Sequence, residues 1–254
     1  CNSNKKELSR KHQVEYIQLC PSGTRRSKTD IRNRHIDNLS QGGLTGKGLT
    51  DYICHFVRQN RFKDEEYDAI LIEDDKDERF LQIKQDGTAA TDWNLWENHK
   101  KEISEQIHSQ YPEIPILFLY AAPEVEAWFL ADWENSFGQI YKNIFPPKKN
   151  QYFQISFRKY VNEEILTDRY SGCIEDYGYF DGTYRKLSEQ IQIALENQVF
   201  LNSDILKAAD SPIRYSKRLQ GECMLERLDP IQILKSCSYY FKDGFYALKT
   251  LSES

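Results

Sequence analysis

A run of carboxylates at the end of an apolar stretch is the sharpest chemical feature of this sequence. Ala69, Ile70, Leu71 and Ile72 lead directly into Glu73, Asp74, Asp75, Lys76 and Asp77. Glu73, Asp75 and Asp77 alternate, so an extended backbone would put the three on one side. Carboxylates crowded together repel one another and call for a cation. Mg2+ (or Mn2+) is the usual choice, held by one or two carboxylates with retained waters and substrate phosphates. The plainer alternative is an acidic loop that ends a strand. A second acidic motif follows another apolar run: Pro123, Glu124, Val125, Glu126, Ala127, Trp128. Acids in the first turn of a helix meet its dipole favourably, which would suffice for both glutamates. The functional alternative is that Glu126 joins or supports the metal cluster.

Other candidates are weaker. Gly42, Gly43, Gly46 and Gly48 surround Lys47 in a stretch that could cradle a phosphate with backbone amides. It is not a Walker A loop, because Gly48 follows the lysine where Ser or Thr is needed. A glycine turn explains it as well. No G-x-S-x-G elbow is present, and the five histidines are scattered without metal-ligand spacing.

These residues need elements to hold them. Residues 14–20 alternate like a strand, 41–48 read as a loop, and 51–61 as a helix. Residues 67–72 and 114–122 are apolar runs of strand length. Between them, 92–110 reads as a long helix capped by Asp92, with Leu95, Ile103 and Ile107 on its buried face. Pro123 is expected to open the next helix, since proline is tolerated in a first turn. Strand and helix alternate, which predicts an α/β fold with a mostly parallel sheet and helices on its faces. Beyond residue 135 the segments become aromatic-rich and less periodic, with helices expected at 184–197, 230–237 and 239–251. We therefore expect an α/β core over 1–135 and a mainly helical extension over 136–254 packed on it.

Composition narrows the function classes. The chain has 254 residues, enough for a sizeable core, and its aromatic content of 13% suits a folded chain rather than a disordered one. The mean hydropathy is −0.71, and no apolar run approaches the ~20 residues that span a bilayer. The net charge of −5 excludes a wholly basic nucleic-acid-binding surface but not a local patch. One stretch could supply such a patch: residues 1–34 hold nine basic side chains against three acids. Arg25, Arg26, Lys28, Arg32 and Arg34 are its core, and a solvated surface or a protein-binding role is the alternative. The six cysteines show no CxxC, zinc-finger or disulfide-scaffold spacing, which suits free thiols in a reducing cytoplasm. The first residue is Cys1, which fits either a mature lipoprotein or a chain whose true start lies upstream; the second is the expectation.

Taken together, YDAILIEDDKD at 67–77 and ILFLYAAPEVEAWFLAD at 116–132 resemble a bacterial family of uncharacterised TOPRIM-like proteins. GGLTGKG at 42–48, YFDGTYRKL at 179–187 and the segment 211–237 are similar to the same family. Its members are often encoded beside an ATPase of the ABC or SMC type in phage-defence loci, and the wider group includes topoisomerases, primases and the overcoming-lysogenization-defect nucleases. The resemblance implies a TOPRIM-like Rossmannoid core and Mg-dependent phosphodiester chemistry on DNA or RNA. It implies that Glu73 and Asp75 occupy the D-x-D metal positions, with Asp77 close behind. Glu73 stands where the pattern has Asp. The family's first-strand glutamate, in Val-Glu-Gly, is absent, because Glu15 lies inside a strand; either that strand lies upstream of Cys1 or this member is catalytically silent. Lys217 and Arg218, in the matched 211–237 segment, become candidates for steadying phosphate, together with Lys47. The expected function is a metal-dependent nuclease with a partner ATPase, with catalytic residues Glu73, Asp75, Asp77 and Glu126. A TOPRIM-shaped adaptor or sensor without catalysis is the alternative, and a lipoprotein binding module is the third reading.

Overall fold

The computed structural model describes residues 46–58, 67–86, 89–166, 173–180, 182–201 and 213–253. The expected strand at 14–20 and the basic residues Arg25, Arg26, Lys28, Arg32 and Arg34 lie outside them. The fold is mixed α/β. Helix α1 (Gly46–Arg58) precedes strand β1 (Ile70–Asp75), and a hairpin of β2 (Leu81–Ile83) and β3 (Ala89–Thr91) leads into α2 (Trp93–His108). Strand β4 (Ile116–Ala121) then pairs parallel with β1, in a register running from Ile70 opposite Ile116 to Asp75 opposite Ala121.

The β1–β4 pair separates two cores. Ile72, Phe118, Tyr120 and Ala122 pack on one face with Leu49 of α1 and with Trp96, Ile103 and Ile107 of α2. Leu119 and Ala121 pack on the other, with Leu71 against them, in a larger core that runs on through Phe241. Both strands are covered on both faces, which is why their sequences read as unbroken apolar runs rather than as alternation. Asp92 caps α2 as expected, accepting from the Asn94 and Leu95 amides at 3.0 and 3.2 Å. Leu95 itself is exposed, and Trp96 takes the expected inward place. At 100° per residue Trp96, Ile103 and Ile107 fall on one stripe, from which Leu95 is rotated well away.

Three further sequence expectations are corrected. The glycine stretch 41–48 is not all loop, since α1 begins at Gly46. The β2–β3 hairpin interrupts the simple alternation of strand and helix. Pro123 does not open a helix: the Ala122–Pro123 peptide is cis, and α3 (Glu126–Ala131) starts three residues later. The intervening backbone is used elsewhere, with the Lys76 amide donating to the Ala121 carbonyl and the Asp77 amide to that of Pro123, both at 2.7 Å.

The rest is helical apart from one small hairpin. Helices α4 (Phe137–Ile140) and α5 (Pro147–Tyr160) are followed by hairpin β5 (Tyr179–Phe180) and β6 (Thr183–Tyr184). Helices α6 (Leu187–Asn197), α7 (Lys217–Leu225), α8 (Pro230–Ser236) and α9 (Tyr240–Glu253) complete the chain. Buried carboxylates fasten three of these helices by their N-termini, where backbone N–H groups lack helical partners. Glu124 accepts from the Ser188 amide at 3.0 Å at the start of α6. Asp132 accepts at 2.7 Å from the amide of Asp229, the N-cap of α8. Glu175 accepts from the Tyr239 and Phe241 amides at 2.6 and 3.0 Å, at the start of α9. No described helix is long and apolar enough to cross a membrane. Cys54, Cys173, Cys223 and Cys237 are thiols rather than disulfides.

Lys76 anchors the end of β1 from the inside. It is fully buried, donates to the Glu175 carbonyl at 3.0 Å and lies 5.2 Å from the Tyr240 ring centre. Burial lowers its pKa to about 8, against the opposing pull of Asp176 and Glu175. The unfolded chain keeps this proton to about pH 10.5. Between those values the unfolded state therefore binds the extra proton, and stability rises with pH. Below about pH 8 the full cost of the buried charge is present. Urea titrations of wild type and Lys76→Met between about pH 7.5 and about pH 10 should show wild type gaining about 2 kcal/mol relative to the variant. A pH-independent difference would mean that Lys76 is not buried as a cation.

Candidate functional site

Asp75 ends β1 opposite Ala121, the last residue of β4. Glu126 opens α3 a few residues beyond that strand end. Their carboxylates therefore meet at the C-terminal edge of a parallel pair, the edge where α/β folds bind ligands. Asp75 accepts from the Val125 amide at 3.2 Å through Oδ1 and from Lys217 Nζ at 2.6 Å through Oδ2. The same ammonium lies 3.7 Å from Glu126 Oε2. One cation thus serves both carboxylates.

Glu126 is fully buried. Its Oε1 accepts from the Tyr215 hydroxyl at 2.6 Å, while Oε2 has no hydrogen-bond partner. Burial raises its pKa, opposed by Lys217 and reinforced by the charge of Glu124. Burial and then the Glu126 charge push the Tyr215 phenol up as well, so it stays a donor. At Lys217 burial works against the charge, but Asp75 and Glu126 outweigh it and the pKa rises above its ordinary value.

The other acids have different duties. Glu124, which the sequence suggested would join Glu126 in a helical first turn, lies before that helix. Both its oxygens are occupied by Ser188. Asp77 does not continue the extended alternation: its φ of 52° turns the chain, because the Lys76 side chain dives inward and the backbone reverses toward the β2–β3 hairpin. Asp77 Oδ1 lies 3.5 Å from Lys186 Nζ. Glu73 shares the Asp75 face of β1 by strand alternation, but it is exposed and sits two residues before the strand end. Asp74 points to the opposite face and pairs with Arg79 at 2.5 Å.

Of the sequence-predicted site residues, Asp75, Glu126 and Lys217 come together directly. Arg218 and Lys47 are described by backbone alone, in the first turns of α7 and α1. Tyr215 and Lys186 escaped the sequence reading. Tyr215 lies just before the extended N-cap Ser216 of α7, two residues from Lys217, and no sequence pattern marked it. Nor did any mark Lys186, which meets Asp77 across 109 positions.

Among the described residues no three His, Cys, Asp or Glu side chains form a ready-made metal cage. The donors at this edge are two carboxylates. A magnesium ion commonly takes one or two and fills its remaining positions with water and phosphate oxygens. The hard oxygen donors fit such an ion, as does the buried Glu126 Oε2, which accepts no hydrogen bond. No protein-family model, curated protein or solved structure matches the chain.

Proposed function

We propose that this chain is a TOPRIM-like nuclease that cleaves DNA or RNA phosphodiesters with Mg2+ (or Mn2+). In this reading it acts in the cytoplasm with an ABC/SMC-type ATPase in antiviral defence. The observation that carries the chemistry is the shared cation: Asp75, at the end of β1, and Glu126, at the start of α3 just beyond β4, both address one positive charge. The ATPase partner and the defence role rest on the resemblance of the 67–77 and 116–132 motifs.

Asp75 and Glu126 are the side chains that would hold the ion, with Asp77 at the rim. When bound, it supplies charge stabilisation to the attacking and leaving oxygens of the phosphate. The remaining work falls to the chain. The Val125 amide and the Tyr215 hydroxyl fix the two carboxylates. Lys217 and Lys186, each nearly half exposed, stand where phosphate oxygens would arrive. Arg218, Lys47 and the 25–34 arginines would add contacts to the nucleic-acid backbone, and Glu73 would face the solvent side of the site.

A second reading has one observation in its favour. Lys217 and Lys186 already pair with Asp75 and Asp77, as they would in a catalytically silent adaptor. Incubation of end-labelled DNA and RNA with the protein, its ATPase and Mg2+ separates the two. Cleavage should require the metal and fall by at least about 100-fold in Asp75→Asn. Cleavage that persists in chelator would contradict the metal reading. Intact nucleic acid under every condition would favour the adaptor.

A further inference from the structure

We infer that Lys217 is a placeholder for the metal: it occupies the cation position between Asp75 and Glu126 and is displaced toward the incoming phosphate when a divalent ion binds. This rests on the reading that Asp75 and Glu126 take such an ion.

The geometry separates fixed parts from a movable one. Asp75 is held by the Val125 amide and Glu126 by the Tyr215 hydroxyl. Lys217 hangs on a flexible four-carbon stem and is 44% exposed at its side chain. The lysine satisfies Asp75 with a hydrogen bond at 2.6 Å but stops 3.7 Å from Glu126. Glu126 Oε2 is therefore left without a hydrogen bond in a fully buried side chain. An unmatched buried oxygen of this kind is costly. A doubly charged ion could meet both oxygens at once, which a single ammonium does not.

Displaced, Lys217 gives up its 2.6 Å hydrogen bond to Asp75 and leaves both carboxylates to the metal. It is then available to a phosphate oxygen. Metal and lysine compete for Asp75, whereas phosphate and carboxylates compete for the lysine. Linkage makes the effect reciprocal, so a bound phosphate backbone should tighten metal binding.

Calorimetric titration with Mn2+ alone tests this on the full chain. Lys217→Met should bind Mn2+ about tenfold more tightly than wild type, within the ordinary range for coupled sites. Its melting temperature in chelator should fall, and Mn2+ should restore it by a larger shift than in wild type. Its cleavage should drop although its metal affinity rises, opposite directions that a merely structural lysine would not produce. Lys217→Arg keeps the charge and can pair bidentately with carboxylate, so it should bind Mn2+ more weakly than wild type. It also preserves the test should the methionine variant not fold. Equal affinity in wild type and both variants would overturn the placeholder while leaving the metal site standing. Failure of wild type and Lys217→Met alike to bind Mn2+ would overturn both.

Discussion

Glu126→Gln should cut metal-dependent cleavage by about 100- to 1,000-fold while the protein melts no earlier than wild type. Glutamine keeps the shape and still accepts from the Tyr215 hydroxyl, whose 2.6 Å bond goes to one carboxylate oxygen only. What it loses is the negative charge aimed at the cation position. That charge is a burden to the fold: burial pushes the Glu126 pKa up, and its second oxygen has no hydrogen-bond partner. Removing a poorly compensated buried charge is commonly neutral or stabilising. Lys217 keeps Asp75 as its partner at 2.6 Å. Activity and stability therefore move independently, and parallel cleavage assays and thermal melts read both. A variant with full activity, or one inactive only because it unfolds, would return Glu126 to a structural role.

Gly244→Ala should destabilise the fold strongly, although it adds a single methyl group. Helix α9 lies directly on β4, and a Cβ at residue 244 would stand 2.5 Å from the Phe118 carbonyl oxygen and 2.9 Å from the Leu119 Cα. Both are backbone atoms of buried residues of β4, so neither yields as a flexible side chain would. Overpacking of this kind costs about 1–3 kcal/mol and sometimes more. In a chain of this size that corresponds to a fall in melting temperature of roughly 3–10 °C. Because β4 leads straight into the segment carrying Glu126, a shifted strand should also weaken metal binding. A melt within about 1 °C of wild type would show that α9 can lift away from β4 at little cost.

The sequence was most informative where local pattern and burial agree. Ile70–Ile72 and the 116–121 run are buried or partly buried, so continuous apolarity marked them as strands, and the acids that follow fell at the ligand edge of the sheet. Asp92 announced its helix because capping is local. Glu126 and Asp75 were legible for the same reason: each lies a few residues beyond a recognisable strand. Periodicity misled at Leu95, where Trp96, one residue on, is the buried member of the stripe. The acids of 73–77 looked alike in sequence but serve different ends. Asp74 pairs with Arg79, Asp75 with Lys217 and Asp77 with Lys186, and only tertiary contacts sort them. Lys76 gave no sign of its burial, because its compensation comes from Glu175 and Asp176, far along the chain. The long-range caps made by Glu124, Asp132 and Glu175 were equally hidden. A carboxylate that fastens the N-terminus of a distant helix has no spacing to betray it.

The most direct test of the central claim, that Asp75 and Glu126 share a divalent cation, is a crystal structure grown with Mn2+ and read by anomalous scattering. The account predicts a single anomalous peak about 2.0–2.2 Å from one oxygen of each carboxylate, with the Lys217 ammonium moved out of that position. Lys217 still bridging Asp75 and Glu126 at saturating Mn2+, with no peak between them, would contradict it.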